Sequence, residues 1–222
     1  MKRYNAVLFD LDGTLSESAP GITRSLQAAL PAAGIHEPDA SKLTRFIGPP
    51  LNVELRAAYG LSSEAIEAVI ARFRVYYEAK GIFQCRLYPG AADLVRRCAA
   101  AGLTLAVASS KPEPHVQTLM RHFGIADCFR VICGSRIEDE LENKTSADNK
   151  AQVVAKTLAR LGGAQPAVMV GDTKYDVLGA RANGLDAIAV TYGYGTAEEL
   201  AAVHPAYTAA NAADLSRILL EA

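Results

Sequence analysis

The sequence predicts an α/β protein in which helices cover both faces of a doubly wound parallel sheet, with an all-helical segment inserted after the first strand. Three observations support this fold class. Residues 6–9 (AVLF) form a continuous apolar run, typical of a strand buried on both faces. Residues 16–83 contain helical patterns and no strand-like run. Beyond Pro89 and Gly90, apolar runs alternate with helical patterns, as in parallel strands joined by crossover helices.

The inserted segment shows several helical patterns, two of which have clear bounds. Residues 21–33 form the first. Residues 62–80 form the clearer one, because apolar side chains recur there at helical spacing: Ile66, Val69, Ile70, Phe73 and Tyr77. Ser62 or Ser63 can cap the start of this helix, and Gly81 can end it.

The rest of the chain is predicted to complete a Rossmann-like sheet. Strands are expected at residues 103–108, 130–133, 167–170 and 187–190. Helices are expected at residues 91–101, 113–123, 150–161 and 176–183, with a closing helix at 213–221. We therefore assign residues 1–15 and 84–222 to the sheet-containing core and residues 16–83 to a helical insert placed to form a lid.

Composition excludes several classes of protein. Of the 222 residues, 50% are hydrophobic and 21% are charged, so the chain is not intrinsically disordered. Lys and Arg number 23 against 24 Asp and Glu, a formal net charge of -1, so there is no overall positive field to hold a nucleic acid polymer or an anionic membrane.

The chain also has features expected of a cytoplasmic protein. The apolar run before Asp10 is too short for a signal peptide, and no stretch reaches the length needed to span a membrane. The four cysteines have no paired spacing and are expected to be free thiols in a reducing compartment. A monomer or a homodimer is compatible with the sequence.

Carboxylates follow two of the predicted strands. Asp10 and Asp12 follow the first strand two residues apart, so their side chains leave an extended backbone on the same side. Asp172 and Asp176 follow the strand at 167–170. Ligands bind at the carboxyl ends of such strands, and carboxylates gathered there repel one another unless a cation is present. A single Asp can equally cap a turn or helix, but four oxygen donors without His or Cys favour Mg²⁺.

Two lysines and a serine point to an anion at the same edge. Lys150 and Lys111 lie near predicted helix starts, where a cation opposes the helix dipole, so each is either solvated or directed at a bound anion. Lys144 competes with Lys150, which is preferred because a helix anchors it more firmly than a loop does. Ser109 ends its strand with a hydroxyl able to donate to a phosphoryl oxygen, or simply forms a turn.

Together these motifs resemble the four signature motifs of the haloacid dehalogenase superfamily. The motif residues are 10–14 (DLDGT), Ser109, Lys150 and 171–176 (GDTKYD). The chain is most similar to the phosphoglycolate phosphatase-like branch and to bacterial 5′-nucleotidase-like relatives, on residues 47–50 (IGPP), 88–90 (YPG) and 192–195 (YGYG). The helical insert resembles the small helical cap of this family.

The resemblance implies a Mg²⁺-dependent phosphatase acting on a small phosphate monoester. Asp10 is then the nucleophile, which becomes an aspartyl-phosphate, and Asp12 is the general acid and base. Mg²⁺ is held by Asp10, the main-chain carbonyl of Asp12 and Asp172. Asp176 contributes through the waters of the metal or through Lys150.

The resemblance also implies how the phosphoryl group and the rest of the substrate are held. Lys150 and Ser109 stabilise the phosphoryl oxygens, together with backbone N–H groups near Ser110. Candidate substrate contacts are Ser110, Lys111, Arg45 and Gly48. Arg45 can meet a substrate carboxylate, as in phosphoglycolate, or it is an ordinary surface arginine.

Other classes are less well supported. A signalling receiver domain, which accepts a phosphoryl group without hydrolysing other esters, needs no helical cap. A dinucleotide-binding dehydrogenase would have a glycine-rich turn after the first strand, where this chain is acidic. A phosphomutase remains an alternative, and release of free phosphate would distinguish a phosphatase from it. Among phosphatase substrates, phosphoglycolate and nucleoside monophosphates are almost equally supported.

Overall fold

The structure is a computed structural model that describes residues 3–136, 145–163 and 166–221. The strands are β1 (Ala6–Phe9), β2 (Ser16–Glu17), β3 (Arg86–Leu87), β4 (Thr104–Pro112), β5 (Val131–Ser135), β6 (Ala167–Gly171), β7 (Asp186–Val190) and β8 (Tyr207–Ala209). The α-helices are α1 (Ala19–Ala29), α2 (Leu51–Tyr59), α3 (Ser63–Ala79), α4 (Ala91–Ala100), α5 (Glu113–His122), α6 (Ser146–Arg160), α7 (Lys174–Ala182), α8 (Ala197–Ala202) and α9 (Ala212–Leu220).

Six strands form a parallel sheet in the order β5-β4-β1-β6-β7-β8. From β1 the chain first builds outward through β4 and β5, then returns to β6 on the other side of β1 and builds outward again. The strand order therefore reverses between β1 and β6. In open α/β sheets the ligand crevice lies outside the carboxyl ends of the strands at such a point. The predicted doubly wound fold is confirmed.

Strand β1 is buried on both faces, as its unbroken apolar run predicts. Val7 and Phe9 belong to the hydrophobic cluster on one face of the sheet, and Ala6 and Leu8 to the cluster on the other. All four side chains are fully buried. Neighbours of β1 in register include Val107 of β4 on one side and Val170 of β6 on the other, so the strand is fixed at the centre of the sheet.

The segment between β2 and β3 is helical, as predicted. Helix α3 matches the prediction within one residue at each end, and its N-cap Ser62 accepts a hydrogen bond from the Ala65 N–H at 3.2 Å. Helix α2 was not predicted; it follows Pro50 and ends at Gly60, whose φ is +64°. The same hydrophobic cluster contains residues of this segment and of the sheet, so the two pack against each other.

A two-stranded antiparallel sheet joins the ends of the helical segment. Ser16 pairs with Leu87, and Glu17 pairs with Arg86. The Arg86 Nε also donates to the Glu17 carboxylate at 2.5 Å. This pair was not predicted because two residues are too few to produce an alternating pattern. We call it the neck, since the chain enters and leaves the helical segment through it.

The structure differs from the predicted elements in three further places. Strand β4 runs to Pro112 instead of ending at residue 108, and its register with β5 shifts between Ala108 and Pro112. Because the residues after Ala108 are mostly polar, the apolar pattern did not predict this extension. Helix α6 begins at Ser146, not at residue 150, because Thr145 caps it by accepting from the Asp148 N–H at 3.1 Å. Strand β8 and helix α8 were also missed.

Of the helices described, none is long and apolar enough to cross a membrane.

Candidate active site

Three buried carboxylates meet at the carboxyl end of the sheet. Asp10 follows β1, Asp172 follows the adjacent strand β6, and Asp176 lies in the first turn of α7. One oxygen from each lies within 4.8 Å of the others. The structure therefore brings together three of the four predicted metal ligands. The fourth, Asp12, has its carboxylate outside this cluster and is described below.

Asp172 is held by two hydrogen bonds, one from the first motif and one from the loop after β7. The Thr14 hydroxyl donates to Asp172 Oδ1 at 3.2 Å, and the Tyr194 N–H donates to Asp172 Oδ2 at 2.8 Å. Gly13 allows the close approach: its φ is +84°, and a Cβ at this position would lie 2.0 Å from Asp172 Oδ2. Gly13 and Thr14 of the first motif thus orient Asp172 of the last motif.

Lys150 is buried against the carboxylate cluster. Its Nζ lies 3.0 Å from Asp10 Oδ1 and 2.8 Å from Asp176 Oδ1, and donates to the Ala108 carbonyl at 3.3 Å. Burial alone would lower the pKa of Lys150, but the two carboxylates raise it overall. Lys150 lies in the second turn of α6, four residues after the helix begins at Ser146. The competing Lys144 lies outside the described residues.

Asp176 is oriented by the helix that carries it. Its Oδ2 accepts from the Thr173 N–H at 3.0 Å and from the Thr173 hydroxyl at 2.8 Å, forming a capping box at the start of α7. This leaves Oδ1 facing Lys150. The close approach of α6 and α7 needs Gly179, where a Cβ would lie 2.8 Å from Lys150 Cγ.

The cluster carries more negative than positive charge. Burial raises the pKa of Asp10 to about 6, opposed by Lys150 and reinforced by Asp176. Burial also raises the pKa of Asp172 well above its usual range, with Asp176 and Asp10 adding to the effect. Among the described residues, Lys150 brings one ammonium group to this cluster of three carboxylates and lies within 3.0 Å of two of them, Asp10 and Asp176. An oxygen-lined, buried site of this charge suits a divalent cation.

Asp12 pairs with Lys111 on the other side of the site. The Lys111 Nζ donates to Asp12 Oδ2 at 2.7 Å and lies 5.1 Å from the centroid of the Tyr77 ring. Burial would lower the pKa of Lys111, but Asp12 raises it overall. The Ser109 hydroxyl oxygen accepts from the Lys111 N–H at 3.3 Å. Lys111, predicted to contact substrate, is thus already paired with Asp12.

A cavity lies over Asp10 and Asp12, between the sheet edge and the helical segment. It is lined by Asp10, Asp12, Ile22, Phe46, Gly48, Pro49, Pro50, Leu51, Phe73, Arg74, Tyr77, Ser109, Ser110, Lys111, Pro112, His115, Ser135 and Asn149. The predicted Ser109, Ser110, Lys111 and Gly48 are among them. Arg45 is not: it lies 3.1 Å from Glu54 in an exposed ion pair and lines a separate cleft. These positions favour the alternative that Arg45 is an ordinary surface arginine, and its contact with substrate stays a prediction.

Replacing Arg45 with alanine is expected to change kcat/KM by less than about twofold, because an exposed ion pair contributes little and the side chain is outside the cavity. Steady-state kinetics measure this, with Arg56→Ala as a control on α2. A tenfold rise in KM for R45A alone would contradict the prediction and return Arg45 to the substrate site.

Several site residues were not foreseen. Asn149 lines the cavity, and its buried Oδ1 accepts no hydrogen bond from the residues that the structure describes. Its position next to Lys150 in the sequence is the signal that could have placed Asn149 at the site. His115 and Arg74 also line the cavity, and neither belongs to a motif that was singled out. Thr14 and Tyr194 did lie in motifs, but no local pattern indicates their contacts with Asp172, which lies 158 residues from Thr14 and 22 from Tyr194.

The fold and the carboxylate cluster define an α/β protein with a candidate cation site at the carboxyl edge of a doubly wound sheet. Residues 7–190 match the haloacid dehalogenase-like hydrolase family, and the chain belongs to it. Relatives and structural neighbours that are named as phosphatases extend this to the activity: the chain is a phosphatase of this family.

Three curated relatives carry different names. A 5′-nucleotidase of Pseudomonas aeruginosa is 36% identical over 98% of this chain and 96% of its own length. A phosphoglycolate phosphatase of Yersinia pseudotuberculosis is 34% identical over 96% of this chain and 92% of its own. Tyrosine-protein kinase PtkA of Mycobacterium tuberculosis is 42% identical over 86% of this chain, but the match spans only 64% of that protein.

A solved structure has nearly the same fold throughout. The crystal structure of a predicted phosphatase from Clostridium acetobutylicum superimposes with a TM-score of 0.91 at 37% identity. The match covers 99% of both chains. The helical segment and the sheet are therefore shared with this predicted phosphatase in the same arrangement.

Proposed function

We propose that this protein is a Mg²⁺-dependent phosphatase that hydrolyses a small phosphate monoester through a phosphorylated Asp10. One observation carries the proposal: the Asp10 carboxylate lies in the wall of the cavity while also belonging to the cluster formed with Asp172 and Asp176. A substrate phosphate in this cavity would meet a nucleophile, a cation site and the Lys150 ammonium together.

The donor set fits Mg²⁺. The candidate ligands are oxygens, they are buried, and their mutual repulsion is relieved by a divalent cation. Asp10 and Asp172 would hold the ion with the main-chain carbonyl of Asp12. Asp176, whose oxygens face Thr173 and Lys150, would act mainly by fixing Lys150. When bound, Mg²⁺ would offset the negative charge of the phosphate that an anionic nucleophile must approach.

Asp10 and Asp12 divide the bond-making and proton-transfer steps between them. An Asp10 oxygen attacks phosphorus, the bond from phosphorus to the ester oxygen breaks, and a protonated Asp12 gives its proton to the departing alkoxide. Asp12 then takes a proton from water, which attacks phosphorus and releases inorganic phosphate from Asp10. Lys111, 2.7 Å from Asp12, would hold this carboxylate in place between the two steps.

Two further groups would hold the phosphoryl oxygens. Lys150 lies 3.0 Å from Asp10 and supplies positive charge beside the reacting atoms. Ser109 and Ser110 line the cavity at the end of β4, with a hydroxyl and backbone N–H groups available to phosphoryl oxygens. Residues 16–83 would act as a cap that excludes bulk water from this reaction.

The cavity walls favour a small substrate. The Tyr77 ring stacks on Phe73 with centroids 5.3 Å apart, and its edge meets His115 at 5.5 Å. Lys111 lies over the same ring. These contacts leave little of Tyr77 for stacking on a nucleobase, so we place phosphoglycolate-sized esters ahead of nucleoside monophosphates.

The free thiols and the composition of the site bear on where the protein is located and on its oligomeric state. All four cysteines are free, which fits the reducing cytoplasm where we place the protein. The proposed ligands and cavity come from one chain, so a monomer suffices for activity. A homodimer would serve equally well.

The deciding experiment measures phosphate release from phosphoglycolate, nucleoside 5′-monophosphates, sugar phosphates and pyrophosphate, with Mg²⁺ or EDTA. We expect Mg²⁺-dependent release with one preferred monoester. Asp10→Asn should lower kcat by at least about 10³-fold, because the nucleophile is lost. Asp127→Asn, at an exposed position, is the matched control.

Two outcomes would contradict the proposal. Release from D10N at near the wild-type rate would remove Asp10 as nucleophile. Transfer of phosphate between positions of a sugar, without free phosphate, would instead indicate a mutase.

A further inference from the structure

Residues 192–195 (YGYG) pass directly against Asp172. A Cβ on Gly193 would lie 2.3 Å from Asp172 Cβ, and a Cβ on Gly195 would lie 2.1 Å from the Asp172 carbonyl oxygen. Between them, the Tyr194 N–H donates to Asp172 Oδ2 at 2.8 Å. The two glycines are therefore required for the loop to reach the carboxylate at all.

The side chain of Tyr194 reaches the first helix of the insert. Its hydroxyl oxygen accepts from the Ser18 N–H at 2.8 Å and from the Ala19 N–H at 2.9 Å. Helix α1 has no cap of its own, because the Ser18 side chain makes no capping bond and Pro20 has no N–H to offer. Tyr194 therefore takes the place of an N-cap for a helix 175 residues away.

A second tyrosine of the loop holds the adjoining part of the chain. The Tyr192 hydroxyl donates to the Thr14 carbonyl at 2.9 Å, and Thr14 itself donates to Asp172. The Tyr192 ring also meets Tyr88, beside β3, with centroids 4.8 Å apart. The loop thus contacts the chain on both sides of the neck.

We propose that Tyr194 is a positioning residue that links the cation site to the helical insert. Its amide orients Asp172, and its hydroxyl fixes the start of α1. Helix α1 supplies Ile22 to the cavity and packs on α3, which supplies Phe73 and Tyr77. The position of the helical insert over Asp10 then depends on the loop that holds Asp172. This inference rests on the proposed function for its kinetic consequences.

Tyr194→Phe tests the link, because it removes the hydroxyl and keeps the amide. We expect kcat/KM for the preferred ester to fall about tenfold, chiefly through KM, as two N–H groups lose their acceptor. The Mg²⁺ concentration for half-maximal activity should stay within about twofold, since the amide still holds Asp172. Hydrogen exchange at the Ser18 and Ala19 amides should accelerate by at least about tenfold.

Tyr76→Phe is the matched control, because the described contact of this α3 side chain is its ring beneath the Lys80 ammonium. The proposal is overturned if Y194F and Y76F have equal kcat/KM and equal exchange. It is also overturned if Y194F weakens Mg²⁺ binding by the same factor as it raises KM. The hydroxyl would then act on the cation site and not through the helical insert.

The exchange and Mg²⁺-binding measurements, the latter by calorimetry, do not require turnover. If the wild-type protein hydrolyses none of the esters, the proposed phosphatase reaction fails on its own. The link is then supported by faster exchange with unchanged Mg²⁺ binding in Y194F, and overturned by unchanged exchange.

Discussion

Replacing Lys150 with methionine is expected to lower kcat by about 10²- to 10³-fold and to destabilise the metal-free protein by about 3 kcal/mol. Lys150 is buried within 3.0 Å of both Asp10 and Asp176. Methionine fills a similar volume but leaves those carboxylates, and the nearby Asp172, without a counter-charge. Urea unfolding with EDTA measures the loss of stability, and steady-state phosphate release measures the loss of activity.

Lys156→Met is the matched control on the same helix. Lys156 pairs with Glu113 at 2.6 Å, but its side chain is 31% exposed and lies outside the cavity. We expect K156M to lose far less stability and little activity. Equal stability of the two variants, or wild-type kcat in K150M, would show that Lys150 does not neutralise the cluster.

Replacing Asp172 with asparagine is expected to raise the Tm of the metal-free protein and to abolish its response to Mg²⁺. The folded-state pKa of Asp172 is raised, so its ionised form destabilises the folded protein at pH values above that of the unfolded carboxyl group. Asparagine removes this cost and can still accept from Tyr194. Each kcal/mol recovered should raise Tm by about 3 °C.

Thermal unfolding with EDTA and with excess Mg²⁺ measures both effects. At a Mg²⁺ concentration about 100 times its Kd, the wild-type protein should gain about 2.7 kcal/mol, and D172N should gain little. The exposed Asp127→Asn variant should behave as wild type in both conditions. A lower Tm for D172N in EDTA, or an undiminished Mg²⁺ shift, would contradict the assignment of Asp172 to the cation site.

The parts of the site that the sequence predicted are those set by topology. Asp10 and Asp172 directly follow buried apolar strands, and parallel strands place their carboxyl ends at one edge whatever the intervening sequence. Lys150 also reached the cluster, although the helix carrying it starts four residues earlier than expected. Its long side chain extends from the second helical turn to the carboxylates.

The remaining features depend on tertiary contacts that no local pattern encodes. Lys111 carries no sequence signal that its partner is Asp12, and Arg45 none that Glu54 pairs with it. The neck has strands too short to show alternation. Tyr194 lay in a noticed motif, but its contacts with Ser18 and Ala19 arise only when the two ends of the chain fold together.

The central position of β1 also has a consequence for biosynthesis. One neighbour of β1 is β6, whose residues 167–171 are among the last of the sheet to be translated. At ribosomal rates of about 5–20 residues per second, the first strand waits roughly 10–30 s for that neighbour. Throughout this interval one edge of an apolar strand has no partner and is open to aggregation, and the proposed cation site cannot form until Asp172 emerges.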